Sequence, residues 1–398
     1  MNTQNNAAHE ANEAKTARGY APQWLYQVET PAYVVEEQRL IHNLEILKGL
    51  QDRTGCSVLL AQKAFSMYHC YPLISKYLKG AAASGLYEAK LCHEEFAGEN
   101  HVFNPAYQEK DFPELLEICD HIVFNSMSQW ERFGPRAVAA GKECGLRINP
   151  EHSTQDHDIY DPCSQFSRLG ARISEIDFSR LEGLTGFHFH TLCEQGAEPL
   201  AETLDVVEAK FGRYLHKLKW INFGGGHHIT KDGYNIPLLE KCIKRMQDKY
   251  GLKVYLEPGE AVALNAGFLA ATVLEIVQGP ERSTPVAILD ASAACHMPDV
   301  IEMPYRPPLE GSGEPEEKEF TYALTGPTCL SGDTIGFYSF DEPLKIGDRL
   351  LFGDMAIYSM VKNNTFNGMP LPDIYYIDCK NQLNLTKNFT YMHFKDKL

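Results

Sequence analysis

Basic residues are scarce in this 398-residue chain: 37 Lys and Arg face 53 Asp and Glu, a formal net charge of −16. That balance argues against nucleic acid or an anionic membrane as partner and suits a cationic ligand, besides aiding solubility. Long apolar runs are missing as well, and none approaches the roughly 20 residues that a membrane helix requires. The first residues, Met1 to Lys15, lack a basic-then-apolar signal pattern, so a cytoplasmic location is expected, with a mobile tail over residues 1–18. The eleven cysteines include no Cys-x-x-Cys pair, which speaks for reduced thiols and against a disulfide or zinc framework. No internal repeat is visible.

What is present is an ordinary globular composition, 44% hydrophobic and 23% charged, in a chain long enough for two domains. Short buried-strand patterns begin at Tyr33–Val35 and recur at Val58–Ala61, Ala81–Ser84, His101–Asn104, His121–Asn125, Gly145–Asn149, Gly186–His190, Trp220–Phe223 and Val254–Glu257. Helix-like segments separate most of them, such as Glu36–Gln51, Tyr71–Leu78 and Tyr87–Phe96. Eight alternating units from Val58 onward specify a parallel (β/α)8 barrel, with an open doubly wound sheet as the alternative. After Gly259 the pattern changes. Phe268–Val277, Val286–Asp290, Phe320–Leu324, Arg349–Phe352 and Ile374–Tyr376 read as strands without long helices between them, and Glu310–Lys318 as an exposed loop. The expected organisation is α/β: a barrel over 36–264, and a mainly antiparallel β-domain built from 1–35 and 265–398.

Parallel barrels place their chemistry at the carboxyl ends of the strands. Lys63 ends the first strand here, Arg147 lies in the fifth, His190 ends the sixth, Gly224-Gly225-Gly226 follow the seventh, and Glu257-Pro258-Gly259 close the eighth. A lysine taken out of water loses its proton more easily, which suits an amine that must attack a carbonyl and form a Schiff base. Consecutive glycines let backbone N–H groups close on a phosphate, and a carboxylate can hold a pyridine nitrogen in its protonated form. Together these suggest pyridoxal 5′-phosphate. Read singly, each residue has a bland counterpart: a lysine leaving a strand end, a tight turn, a surface acid, a structural histidine. The His188-x-His190 and His227-His228 pairs are also conceivable metal ligands, but no Cys or Asp with zinc-like spacing accompanies them, so no metal is expected.

The ordered motifs Thr30-Pro31-Ala32-Tyr33-Val34, Ala61-Gln62-Lys63-Ala64, Ser167-Arg168-Leu169-Gly170, Gly186-Phe187-His188-Phe189-His190, Gly224-Gly225-Gly226, Glu257-Pro258-Gly259, Gly326-Pro327-Thr328-Cys329 and Thr365-Phe366-Asn367-Gly368 resemble the alanine-racemase-fold (fold type III) pyridoxal-phosphate decarboxylases. The ornithine and diaminopimelate enzymes belong to that group, and the resemblance spans nearly the whole chain. It implies a homodimer with shared active sites, Lys63 carrying the cofactor, His190 stacked on its ring, and Glu257 at the ring nitrogen. It further implies Gly225 and Gly226 at the phosphate with a contact from Tyr358, and Cys329 of a second subunit returning a proton to the α-carbon.

Three departures narrow the resemblance. Glu260 stands where relatives have a phosphate-binding arginine, Thr191-Leu192-Cys193 replace a Gly-Ser contact after His190, and Leu330 replaces an acid that holds a distal amine. Partly through these departures the chain resembles most the branch acting on carboxynorspermidine and carboxyspermidine, and that resemblance implies decarboxylation to norspermidine and spermidine in polyamine biosynthesis. Diaminopimelate or another basic amino acid is the alternative substrate, and an inactive partner-binding homologue the non-enzymatic alternative. Glu260, His296, Asp299, Arg306 and Asp333 are the candidates for meeting a polyamine-type substrate.

Overall fold

The computed structural model describes residues 13–16, 19–155 and 161–398. The expected mobile tail lies mostly outside them, and its described part, Glu13–Thr16 (β1), pairs as a strand with Gly19–Pro22 (β2). The chain divides into two compact units, Ile41–Val262 and Met1–Leu40 with Ala263–Leu398. Among the described residues no helix is long and apolar enough to cross a membrane.

The first unit is a closed barrel of eight parallel strands: β4 (Ser57–Ala61), β5 (Gly80–Ala83), β6 (Glu99–Phe103), β7 (His121–Phe124), β8 (Glu143–Arg147), β9 (Gly186–His188), β10 (Trp220–Asn222) and β11 (Lys253–Leu256). Closure is made by β11 pairing with β4 through Tyr255 and Leu256. Burial on both faces explains the continuous apolar runs, as in Val58–Leu60. Trp220 occupies the barrel interior with Leu59, Val123 and Tyr255. Its indole is why β8 and β9 carry glycine: a Cβ on Gly145 or Gly186 would fall 2.4 or 2.0 Å from its ring atoms.

The helices outside follow the same local logic. Ile236–Tyr250 starts where the Asn235 side chain accepts from Leu238 N at 3.2 Å and stops at left-handed Gly251, with Leu239, Cys242, Ile243 and Met246 forming its buried stripe. The expected helix over Tyr71–Leu78 is shorter, Tyr71–Ile74, and runs out into turns.

The second unit is a mixed sheet ordered β15-β14-β13-β12-β3-β17-β18, with β16 also on β12. Its strands are β3 (Ala32–Glu36), β12 (Gly267–Val277), β13 (Val286–Leu289), β14 (Phe320–Thr325), β15 (Thr334–Phe340), β16 (Arg349–Phe352), β17 (Asp373–Ile377) and β18 (Leu383–Lys387). Most pairings are antiparallel, as expected, but β13–β14 and β3–β17 are parallel. β12 organises the sheet, because its eleven residues pair with β3, β13 and β16 in turn.

Candidate active site

Because the barrel strands are parallel, their carboxyl ends bring six of the expected elements to one rim: Lys63, Arg147, His190, the glycine turn, Glu257 and Glu260. Lys63 stands in the turn two residues past β4. Solvent reaches it, yet protein crowds it, and desolvation aided by nearby Arg147 lowers its pKa against the pull of Glu257 and Glu260. Arg147 ends β8 and is buried, which brings its pKa down to about 10. It donates to His190 O at 3.2 Å and lies 4.6 Å over the Phe103 ring.

Glu257 follows β11, and burial acts to raise its pKa. Pairing with His188 (3.2 Å to Nε2) and a bond from Asn222 Nδ2 (2.7 Å) outweigh that, and the pKa falls to about 2. His188 is desolvated enough that its own pKa is lowered despite Glu257. The carboxylate is therefore ionised and held by neutral donors.

The glycine turn differs from the expectation in which N–H groups it offers. Gly224 N donates to Asn222 Oδ1 (2.8 Å) and Gly225 N to His190 Nδ1 (2.7 Å). Gly226 and His227 keep N–H groups that bond nothing among the described residues. Accepting from Gly225 makes His190 the Nε2–H tautomer. Burial first, then Lys63 and Arg147, hold its pKa well below the usual imidazole value, so the ring is neutral. Nearby in sequence, the buried Thr191 Oγ1 and His228 Nδ1 have no partner among the described residues.

The histidine pairs do not converge on a metal. His188 engages Glu257, His227 approaches Phe223 O at 3.4 Å, and His228 Nε2 lies 3.2 Å from Glu260 Oε2. Glu260 therefore has a partner on its own rim. A different cluster, Glu99, His101 and His121, lies inside the barrel. Lys79 and Lys253 stand 3.6 and 3.4 Å from Glu99 Oε1, a positive surrounding that disfavours a cation.

The remaining expected residues belong to the other unit. Cys329 is exposed, and its N–H donates to Asn367 Oδ1 at 2.9 Å. Tyr358 adopts a left-handed conformation (φ 54°) at the start of Ser359–Lys362. Three of the candidate substrate contacts are engaged in holding the fold. Asp333 is buried and accepts from Ser292 Oγ (2.9 Å), Thr328 Oγ1 (2.6 Å) and Ala294 N (3.1 Å), so it anchors the Cys329 loop rather than facing solvent. His296 is buried between Pro370 O (3.0 Å) and Ser292 N (3.2 Å), and burial takes its pKa to about 4. Arg306 donates to Gly313 O and Phe337 O, both at 3.1 Å, and pairs with Glu314. Asp299 pairs with Lys362.

The residues on the barrel rim fit pyridoxal phosphate: an amine of lowered pKa, an ionised carboxylate for a pyridinium, N–H groups that bond nothing among the described residues and a buried guanidinium for anionic oxygens. A parallel barrel with that rim, in one chain with a mixed β-sheet unit, defines the class of barrel-fold pyridoxal-phosphate enzymes. Residues 32–356 match the family model described as pyridoxal-dependent decarboxylase, C-terminal sheet domain, and the chain belongs to the pyridoxal-dependent decarboxylases.

Two curated relatives are similar over almost their whole lengths. Carboxynorspermidine/carboxyspermidine decarboxylase of Campylobacter jejuni is 42% identical, covering 92% of this chain and 98% of the relative. Carboxyaminopropylagmatine decarboxylase of Synechocystis is 40% identical, covering 94% and 96%. Among solved structures, carboxynorspermidine decarboxylase complexed with norspermidine from Campylobacter jejuni superimposes with a TM-score of 0.87 at 40% identity, over 93% of this chain and all of that one. Diaminopimelate decarboxylase from Helicobacter pylori shares the fold, with a TM-score of 0.81 at 16% identity over 94% and 98%.

Proposed function

We propose that this decarboxylase acts on carboxynorspermidine and carboxyspermidine, releasing carbon dioxide to give norspermidine and spermidine. The observation that carries this reading is the 42% identity with a carboxynorspermidine/carboxyspermidine decarboxylase over 98% of that protein. The similar match to a carboxyaminopropylagmatine decarboxylase favours a second reading, with a guanidino group at the far end of the substrate. Both substrates are cationic, in keeping with a net charge of −16. Carbon dioxide release, measured with carboxynorspermidine, carboxyspermidine, carboxyaminopropylagmatine and diaminopimelate side by side, tests this reading. A carboxypolyamine is expected to show the highest kcat/KM, by about 100-fold over diaminopimelate. Diaminopimelate as the best substrate would overturn it.

Bound pyridoxal phosphate supplies an electron sink for the charge left when carbon dioxide departs. Lys63 would hold the cofactor covalently through an amine whose pKa desolvation lowers, which eases loss of the proton it must shed to attack a carbonyl. Glu257, ionised and gripped by His188 and Asn222, keeps a proton on the ring nitrogen. His190, a neutral ring, would lie against the cofactor without adding positive charge to that nitrogen's surroundings. The N–H groups of Gly226 and His227, with the Thr191 hydroxyl, take the phosphate, while Gly224 and Gly225 hold the turn in place. Arg147, which donates to the His190 carbonyl, would also meet an anionic oxygen of cofactor or substrate.

Cys329, offered by a second copy in a homodimer, returns a proton to the α-carbon. Its exposure on its own unit supports that role. Cys329→Ala is expected to lower kcat by about 100- to 1,000-fold with cofactor affinity unchanged, read from single-turnover kinetics and a cofactor titration. An unaltered kcat would remove the thiol from the mechanism. Glu260 and Asp299 remain the candidates for the distal amines, each already matched to a cation or imidazole that substrate would have to displace.

A further inference from the structure

The strand Trp220–Asn222 is apolar until its last residue, and Asn222 is fully buried. A buried amide is costly unless both its ends are bonded, and here they are. Nδ2 donates to Glu257 Oε1 at 2.7 Å and Oδ1 accepts from Gly224 N at 2.8 Å. Glu257 N in turn donates to Gly224 O at 2.8 Å, closing a ring of three bonds through Asn222, Gly224 and Glu257. The orientation of the amide is determined, since a carboxylate only accepts and an N–H only donates, and a flipped amide would lose both contacts. Gly224 has φ +71°, and a Cβ there would lie 2.4 Å from Phe189 O, so the first peptide of the turn has little freedom. The next N–H orients His190, and the two after it bond nothing among the described residues.

We propose that Asn222 is a positioning residue that ties the carboxylate of Glu257 to the glycine turn, so that protonation of the cofactor's ring nitrogen and seating of its phosphate depend on one side chain. The inference rests on the reading that Glu257 faces the ring nitrogen. Asn222 touches neither reacting atom and acts through Glu257 on one side and Gly224 on the other. With aspartate at 222, a second carboxylate would face Glu257 and raise its pKa by like-charge repulsion. With alanine, Glu257 would lose one of its two donors and the turn its first anchor.

The test uses apoprotein of Asn222→Asp, Asn222→Ala, Glu257→Gln and the double variant Asn222→Ala/Glu257→Gln, titrated with pyridoxal phosphate. Three quantities are read: the dissociation constant, the pH at which the bound cofactor's absorption band changes, and the melting temperature of the apoprotein. Both Asn222 variants should weaken cofactor binding by about tenfold or more and shift the band's titration. The double variant should bind more weakly than Glu257→Gln alone, because the turn loses its anchor, but by less than the sum of the two single losses. Asn222→Asp preserves side-chain volume, so it still reports should the alanine variant fold poorly. A lower melting temperature with unchanged affinity and unchanged band titration would mean a merely structural amide and would overturn the proposal, as would strictly additive losses. If Glu257→Gln itself leaves affinity and band unchanged, the assignment of Glu257 fails and the proposal with it. If Glu257→Gln alters both while the Asn222 variants do not, only the role of Asn222 fails.

Discussion

Lys63→Ala is expected to abolish decarboxylation, with kcat falling at least about a thousandfold, and to leave a protein whose bound-cofactor absorbance does not respond to borohydride. The wild type, in contrast, should absorb near the visible edge and be bleached. The reason lies in the desolvation of the amine, assisted by the Arg147 charge, which lowers its pKa from 10.5. Lys63→Arg should fail equally, because a guanidinium keeps the charge but stays protonated and cannot attack a carbonyl. The sign of the effect on stability is opposite to that on activity. The unfolded chain binds a proton at Lys63 more readily than the folded one, so the folded state is penalised at neutral pH and the penalty eases as pH rises towards 10.5. The alanine apoprotein is therefore expected to melt no lower than wild type. A lysine-free variant that still decarboxylates, or a wild type that stays colourless with added cofactor, would refute the assignment.

Glu257→Gln is expected to lower kcat by about 100- to 10,000-fold, the range for a group that controls a proton in the transition state. A glutamine nitrogen there also opposes the Asn222 donor or the His188 ring, which a carboxylate satisfies together. The pH dependence is distinctive. The folded-state pKa is depressed from 4.5 to about 2, so the carboxylate contributes stability above pH 4.5, and this is lost as pH falls through about 2. The cofactor band of wild type should accordingly hold constant from neutral pH down to about 4 in a pH titration, while that of Glu257→Gln drifts within the same range. Activity within tenfold of wild type, with an unchanged band, would sink the role given to Glu257.

The barrel was readable because each strand is buried on both faces, and a run such as Val58–Leu60 admits few alternatives. The strand Leu383–Lys387 was not read, since Leu-Asn-Leu-Thr-Lys on a largely exposed edge carries little burial signal. Thr334–Phe340 was likewise missed, with exposed Phe337 and Gly336 interrupting its pattern. The parallel pairings of β3 with β17 and of β13 with β14 join segments far apart in the chain, and no local pattern encodes them. At the site, Lys63, His190 and Glu257 were visible as polar residues ending apolar strands. Asn222 carried the same mark, yet one amide before a glycine run is unremarkable until its two partners are known.

The amino-acid order by itself determined the alternation that makes a barrel, the charge that suits a cationic substrate, and the residue types at the strand ends, because these depend on local periodicity and composition. Tertiary structure decided which of those groups are available. It used the N–H of Gly224 on Asn222 and that of Gly225 on His190, leaving those of Gly226 and His227 without a partner among the described residues. It also buried Asp333 and His296 among partners and matched Glu260 to His228. Hydrogen bonding and desolvation are properties of neighbours brought together by folding, and residues 35 or 69 positions apart, as in Asn222–Glu257 and His188–Glu257, become neighbours only when β9, β10 and β11 pair side by side.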